Sequence, residues 1–314
     1  MRISTNTLYS SGQARIADLQ TSLVKTQQQI ATGRKILTPA DDPVGASQVL
    51  NLEQVKAMNE QFATNRTNAG NAMREQEGAL SSMNDLVQDM KTLLVQAGNG
   101  SLDDTQRGYL AAELDGQIDQ LLGLANSRDG IGNYMFSGFQ SDQPTYVKTI
   151  TGATFQGDGG RRTLQVDTSR SLTISTSAQQ LFEAVDTGTA SAPGVKQDIF
   201  TTLRTLSDAL KTPTTTPAAQ AALSAARTAA GNALTSTLDR VLTARAAIGA
   251  QQKEIDALDA AGAAKDAYYA QAMSSLQDVD YTKAISDFSQ QQITLEAAMK
   301  SFKSVSELSL FSLI

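Results

Sequence analysis

The chain of 314 residues is 40% hydrophobic and 5% aromatic, and it contains no Cys, His or Trp. Without Cys and His it lacks disulfides, thiolate and imidazole metal ligands and the commonest proton-transfer side chain, so we expect no enzyme, no metal site and no cofactor. The formal net charge of −6 argues against a nucleic-acid partner, because binding to the phosphate backbone needs clustered Lys and Arg.

The first predicted helix covers residues 9–32 and stops at Gly33, a residue that readily adopts the left-handed conformation found after many helices. Apolar residues spaced three, four and seven apart form one stripe along it: Ile16, Leu19, Leu23 and Ile30. This spacing is typical of a helix that packs along a single seam, so we expect a helical partner.

A short loop leads to Asp42, whose acceptor side chain comes directly before Pro43. This order predicts that Asp42 is the N-cap and Pro43 the first residue of the next helix. The adjacent carboxylates of Asp41 and Asp42 could instead bind a cation. Capping is favoured, because no further oxygen ligand follows at a recognised spacing.

The second helix is predicted over residues 44–97, a stretch without internal Pro that spans roughly 80 Å at 1.5 Å per residue. Positions that alternate by threes and fours mark its buried seam, and all but three of them are apolar: Leu52, Val55, Asn59, Phe62, Arg66, Ala69, Met73, Gln76, Leu80, Met83, Val87, Met90, Leu94 and Ala97. Residues 98–101 break this helix, and a return helix is predicted over residues 103–127.

Between Gly130 and Ser177 the hydrophobic period changes to roughly two, which predicts a small β-rich insertion. Gly157-Asp158-Gly159-Gly160 is interpreted as a hairpin turn, because the helix and Lys that follow a phosphate-binding loop are missing. Asn65-Arg66-Thr67 and Asn99-Gly100-Ser101 match the N-glycosylation sequon. We interpret both as incidental, since one lies within the predicted long helix and no secretory signal is recognisable.

Three further helices are predicted: residues 195–210, residues 218–277 and a terminal helix that begins at Asp280. Asp278-Val279-Asp280 is interpreted as the hinge between the last two. The terminal helix carries a second apolar stripe, formed by Ile285, Phe288, Leu295, Met299 and Phe302.

These elements predict a mainly α protein with a small β-rich insertion, built as an elongated antiparallel helical bundle with paired N- and C-terminal coiled-coil helices. We expect three domains: residues 1–42 with 279–314 as a terminal helical domain, residues 43–143 with 193–278 as a long helical rod, and residues 144–192 as a small β-rich outer domain. No apolar run reaches the roughly 18 residues of a membrane span, so we expect no membrane contact.

The two terminal stripes are predicted to be contact surfaces between subunits. Two isolated helices have too little apolar area to be stable on their own in water. We therefore expect the ends to become fully ordered only inside a polymer, and we assign subunit assembly to nine residues: Ile16, Leu19, Leu23, Ile30, Ile285, Phe288, Leu295, Met299 and Phe302.

Two segments near the N-terminus, Ala31-Thr32-Gly33-Arg34-Lys35-Ile36 and Pro39-Ala40-Asp41-Asp42-Pro43-Val44-Gly45, resemble the N-terminal signature of the bacterial flagellin superfamily. Residues 134–138, 245–250 and 309–313 resemble further parts of these proteins. Within the superfamily, residues 1–5 and 155–160 resemble proteins of the hook–filament junction. After Ala250, Lys253 and Glu254 stand where flagellins commonly have Asn-Arg, which favours a junction protein.

The resemblance implies a structural part of the flagellum that is secreted through the flagellar type III export apparatus. It would form an extracellular ring of identical subunits between hook-associated protein 1 and the flagellin filament. The resemblance also implies a cytoplasmic export chaperone that binds Leu295, Met299, Phe302, Val305 and Leu308. Flagellin itself is the alternative. A helical signalling or adhesion module is a remote one, because it would ordinarily carry a membrane span or a lipidation signal.

Overall fold

A computed structural model describes residues 2–188 and 196–311, with the side chains of residues 2–6, 8 and 307–311 left undescribed. The chain divides into two compact units. The terminal unit comprises Met1–Glu60 and Ala263–Ile314, and the central unit comprises Gln61–Gly262. The expected class, mainly α with a small β-rich insertion, is confirmed. The three-domain division stays a prediction.

The helices follow the predicted order along the described chain. They are α1 (Arg2–Thr32), α2 (Pro43–Gln96), α3 (Asp104–Ala125), α4 (Ala178–Phe182), α5 (Ile199–Lys211), α6 (Pro217–Gln277) and α7 (Tyr281–Phe311). The short α4 was not expected from the sequence. Helix α5 begins later than predicted because Asp198 caps it, accepting a hydrogen bond from the Thr201 amide at 2.7 Å. No helix of the described residues combines the length and hydropathy that a membrane crossing needs.

Within the central unit, α2 and α6 run antiparallel. Arg66 pairs with Asp259 and Glu77 with Arg245, so residue numbers rise along one helix as they fall along the other. The fully buried positions of α2 belong to the hydrophobic core of the central unit and include Ala69, Met73, Leu80, Met83, Val87 and Met90. The predicted seam of threes and fours is confirmed from Asn59 to Ala97, where every position is buried or partly buried.

The described strands form three separate antiparallel pairs. They are β1 (Tyr146–Thr149) with β2 (Gly152–Phe155), β3 (Thr163–Asp167) with β4 (Arg170–Thr173), and β5 (Val185–Asp186) with β6 (Lys196–Gln197). The interpretation of residues 157–160 as a hairpin turn is wrong, because this segment links β2 to β3, which belong to different pairs. The Asp158 carboxylate instead accepts hydrogen bonds from the amides of Phe139 at 2.9 Å and Gly160 at 2.8 Å. The segment is therefore fastened to the loop that precedes β1.

A cluster of aromatic rings anchors β1 in the core of the central unit. The Tyr146 ring lies 4.8 Å from Phe200 and 5.4 Å from Phe155, measured between centroids. The Tyr146 hydroxyl donates to Glu183 at 3.0 Å, and burial raises the pKa of both groups above their ordinary values. The chain has few aromatic residues, and three of them, Tyr146, Phe155 and Phe200, pack together beside the β1–β2 pair.

Candidate functional site

The candidate site lies in the terminal unit, where α1 and α7 pack against each other in antiparallel directions. At one end of the pair, the rings of Tyr9 and Phe302 lie 4.8 Å apart between centroids. At the other end, the Val279 amide donates to the Gly33 carbonyl at 2.9 Å. A Cβ added to Gly12 would lie 2.9 Å from the Phe302 ring, so a side chain there would push the helices apart. The two ends of the chain are partners of each other.

Both helices bury a continuous seam whose members lie three and four residues apart. On α1 the seam positions, all buried or half-buried, are Gly12, Ile16, Leu19, Leu23, Thr26 and Ile30. On α7 the seam positions, also buried or half-buried, are Ala284, Phe288, Gln291, Leu295, Ala298 and Phe302. This is the heptad pattern of a two-helix coiled coil, and it runs from Gly12 to Ile30 on α1 and from Ala284 to Phe302 on α7.

Seven of the nine residues assigned to subunit assembly lie on this intramolecular seam. The other two, Ile285 and Met299, point outward and are 53% and 43% exposed. The inner positions beside them belong to Ala284 and Ala298. Because adjacent residues of a helix point in different directions, these two larger apolar residues lie outside the seam with α1, and their assignment to subunit assembly stays a prediction. The spacing from Leu295 would have identified the Ala positions.

Large apolar side chains of α7 are also exposed outside the seam with α1. We define the outer stripe of α7 as Tyr281, Ile285, Ile293 and Met299, which are 52%, 53%, 69% and 43% exposed. On a straight helix these four residues share one side. The single chain therefore leaves apolar surface on its C-terminal helix uncovered.

The five residues assigned to chaperone binding fall into three groups. Leu295 and Phe302 lie in the seam with α1, whereas Val305 and Met299 are exposed. The side chain of Leu308 lies outside the described residues, as do all of those of the motif at residues 309–313. A partner that contacts both Leu295 and Met299 must therefore take the place of α1.

The two adjacent acidic residues in the loop between α1 and α2, Asp41 and Asp42, have different roles. The Asp41 carboxylate pairs with Lys25 at 2.6 Å and accepts from the amides of Leu37 at 3.1 Å and Thr38 at 2.9 Å. These contacts, Lys25 first, lower the pKa of Asp41 from 3.8 to about 2. The neighbouring Asp42 accepts instead from the Gly45 amide at 2.9 Å, which is N-cap geometry for α2. No cluster of potential metal ligands occurs among the described residues.

Gly45 closes this loop against the start of α2. A Cβ at this position would collide with the Asp42 carboxylate and would lie 2.8 Å from the Ile36 Cδ1 atom. Part of the segment that resembles the flagellin signature therefore forms a packed turn, held by Asp41, Asp42 and Gly45.

The hinge between α6 and α7 is bonded to the end of α1. The Lys35 amide donates to the Gln277 carbonyl at 2.7 Å, and the Lys35 ammonium donates to the Ser275 carbonyl at 2.9 Å. Asp280 accepts from the Lys283 amide at 3.1 Å and so caps the first turn of α7. These bonds fix the direction in which α7 returns along α1.

Comparison with known proteins gives a match to one family profile and matches to individual proteins. The sequence profile of the bacterial flagellin N-terminal helical region matches residues 3–141. Flagellar hook-associated protein 3 of Salmonella typhimurium is 35% identical over 100% of this chain and 99% of its own length. Flagellin of Listeria monocytogenes is 28% identical, but over 40% of this chain and 44% of its own length.

Two crystal structures from Legionella pneumophila share the fold. Flagellar hook-associated protein 3 has a TM-score of 0.65 at 19% identity and covers 73% of this chain and 98% of its own. The flagellar junction protein FlgL has a TM-score of 0.58 at 19% identity and covers 75% of this chain and 100% of its own. The similarity to hook-associated protein 3 thus spans the whole chain, whereas that to the Listeria flagellin covers less than half of it.

Proposed function

The chain belongs to the flagellar hook-associated protein 3 family, and we propose that it is the structural subunit of the junction between the hook and the flagellin filament. The end-to-end match to a relative of that name carries this proposal. The paired terminal helices support it as well, because the outer stripe of α7 is an apolar surface that neighbouring subunits would cover. In this role the protein forms a ring with copies of itself, between hook-associated protein 1 and flagellin.

One ion pair of the central unit supports a junction protein over flagellin. Glu254, one of the two residues that depart from the common flagellin pattern, binds two guanidinium nitrogens of Arg170, the first residue of β4. The second of these bonds, from Nη2 to Oε2, measures 2.8 Å. Substituting a basic residue for Glu254 would place two positive charges together. The residue that departs from the flagellin pattern, Glu254, therefore links α6 to β4 through an ion pair in this chain.

We propose that the ring is extracellular and that the subunits reach it through the flagellar type III export apparatus. Passage through a narrow channel requires α1 and α7 to separate, which would uncover their seams. A cytoplasmic export chaperone that binds Leu295, Met299, Phe302, Val305 and Leu308 would then shield the residues of α7 that otherwise pack on α1. The chaperone and α1 compete for the same face of α7.

This competition predicts that one of two neighbouring substitutions in α1 changes chaperone affinity and the other does not. Leu19→Asp places a charge in the seam and should favour the separated α7, because a buried unpaired charge destabilises the docked state. Chaperone affinity for the full chain should therefore rise, by about tenfold if docking weakens by about 1.4 kcal/mol. Gln20→Asp, at an exposed neighbouring position, should leave the affinity unchanged. Titration calorimetry with the purified chaperone measures both, and equal affinities for the three proteins would contradict the competition.

Electron microscopy of a strain that lacks this protein tests the junction role. We expect hooks without filaments and intact flagellin in the medium, and restoration of filaments by the wild-type gene. The double variant Ile285→Asp with Ile293→Asp should be exported and folded but should fail to restore filaments, because it places charges on the outer stripe of α7. Ile150→Asp, at a 94% exposed position of the central unit, is the matched control and should restore them.

Two outcomes would count against the proposal. If the strain without the protein still carries filaments on its hooks, the protein is not a required part of the junction. If flagellin polypeptide is absent from both cells and medium of that strain, this protein is itself the flagellin.

A further inference from the structure

The turn between α2 and α3 contains the one Asn-Gly pair of the sequence, Asn99-Gly100. Both residues are exposed, and so is Ser101, which follows them. The Asn99 carboxamide oxygen accepts two hydrogen bonds from Ser101, one from its hydroxyl at 2.8 Å and one from its amide at 3.1 Å. The side-chain carbonyl of Asn99 is thus polarised by two donors of a single residue.

We propose that Asn99 is a site of spontaneous deamidation, assisted by Ser101. The Gly100 amide nitrogen attacks Asn99 Cγ and forms the N–Cγ bond of a five-membered succinimide. The Cγ–Nδ2 bond then breaks, and ammonia leaves with the proton that the Gly100 nitrogen loses. Water opens the ring at either carbonyl and gives aspartate or isoaspartate, so no oxidant or cofactor is consumed.

The geometry of the turn favours each part of this reaction. Among the described residues, no hydrogen bond from the Gly100 amide to another protein atom is present, so the attacking nitrogen is not held in secondary structure. Apart from its two chain neighbours, no residue lies within 4 Å of the position where a Gly100 side chain would begin, so the rest of the fold does not crowd the turn in which the attack occurs. The two Ser101 donors lie where negative charge develops on Oδ1 during the attack, which is the arrangement of an oxyanion hole.

Asn126 shows the contrast within the same protein. It precedes Ser127, a small residue, yet its carboxamide donates to the Tyr146 carbonyl at 2.9 Å and accepts from the Tyr146 amide at 2.9 Å. Both ends of this side chain are clamped to β1, and Tyr146 itself is 2% exposed. Rotation toward the Ser127 nitrogen would break both bonds, so we expect Asn126 to remain intact while Asn99 reacts.

The test incubates the purified full chain at mildly alkaline pH and measures conversion at each Asn by peptide mass spectrometry, with isoaspartate assayed enzymatically. Asn99 should convert first, at a rate that rises with hydroxide concentration. Removing an oxyanion donor costs about a hundredfold in enclosed enzyme sites. Donors are worth less in water, so Ser101→Ala should slow Asn99 about fivefold. Ser101→Thr keeps the hydroxyl and should retain the wild-type rate.

Two further measurements separate the role of the fold from the reactivity of the Asn-Gly pair. Gly100→Ala should slow the reaction about tenfold or more while the thermal unfolding curve stays unchanged, since a Cβ at this position meets no neighbour. In concentrated urea the difference between wild type and Ser101→Ala should disappear. The proposal is overturned if Asn99 reacts no faster than Asn126, or if Ser101→Ala and wild type react equally fast in the folded protein.

Discussion

At the scale of single residues, Asp41 shows why the loop between α1 and α2 has its particular sequence. Its carboxylate holds the Leu37 and Thr38 amides on one side and the Lys25 ammonium on the other, so it joins the loop to α1. The sequence predicted the capping role of Asp42 but gave Asp41 no partner. Lys25 lies sixteen positions away on a helix face that periodicity alone describes as solvent-exposed.

The lowered pKa of Asp41 gives a prediction for acid unfolding. The pKa falls from 3.8 to about 2 on folding, so the ionised carboxylate stabilises the folded chain above pH 3.8 and this contribution is lost as the pH falls toward about 2. The difference in unfolding free energy between wild type and Asp41→Asn should be constant near neutral pH and should shrink across that window. Denaturant titrations followed by circular dichroism measure it.

Lys25→Met provides the control for this acid window. It removes the largest cause of the lowered pKa, so it should raise the lower edge of the window and make the contribution of Asp41 smaller. A wild-type advantage that persists unchanged below pH 2 would show that the contribution of Asp41 does not depend on its charge.

At the scale of elements, the three polar members of the α2 seam show where sequence-based prediction stops. Asn59, Arg66 and Gln76 follow the spacing of the apolar positions, and this spacing correctly predicted that they face inward. The Arg66 guanidinium donates to the Val166 carbonyl at 3.0 Å, and the Gln76 amide donates to the Ile174 carbonyl at 2.7 Å. Periodicity could not predict these acceptors, because Val166 in β3 and Ile174 after β4 lie about a hundred residues further along the chain.

Gln76→Met tests whether these bonds hold the β3–β4 pair on α2. The substitution keeps the volume and removes the donor to Ile174, so we expect the free energy of unfolding to fall by about 1–3 kcal/mol. Amide hydrogen exchange should also accelerate at Ile174, whose own amide bonds to the Arg162 carbonyl. Gln88→Met, at an exposed position of the same helix, is the matched control and should change stability by at most about 0.5 kcal/mol. Equal effects of the two substitutions would contradict the structural role of Gln76.

At the scale of the whole molecule, the chain combines a self-sufficient core with a terminal unit made from both of its ends. All members of the main hydrophobic cluster lie between Ala69 and Leu258, within the central unit. The sequence predicted that the two terminal stripes need a partner, and the structure pairs each with the other. Whether the terminal pair also needs neighbouring subunits to stay ordered remains a prediction, and it rests on the outer stripe of α7.

Deleting residues 281–314 separates the two parts of the molecule. The deletion removes no member of the main cluster, so the central unit should keep its cooperative thermal unfolding. It also removes the partner of Ile16, Leu19 and Leu23, and an isolated helix of this kind is marginal in water. We therefore expect circular dichroism to show a larger loss of helix than α7 alone accounts for.

We also expect the deletion to abolish assembly, and we expect the milder substitution Leu295→Ala to weaken assembly in part. The truncated protein should fail to restore filaments to cells that lack the full chain, because it has lost the outer stripe of α7. Leu295→Ala, at a seam position that is 9% exposed, should weaken α1–α7 docking by about 2–5 kcal/mol without removing that stripe. If docking and assembly are linked, this variant should restore filaments less efficiently than wild type. Normal filament growth with the truncated protein would mean that the terminal unit is not the surface on which assembly depends.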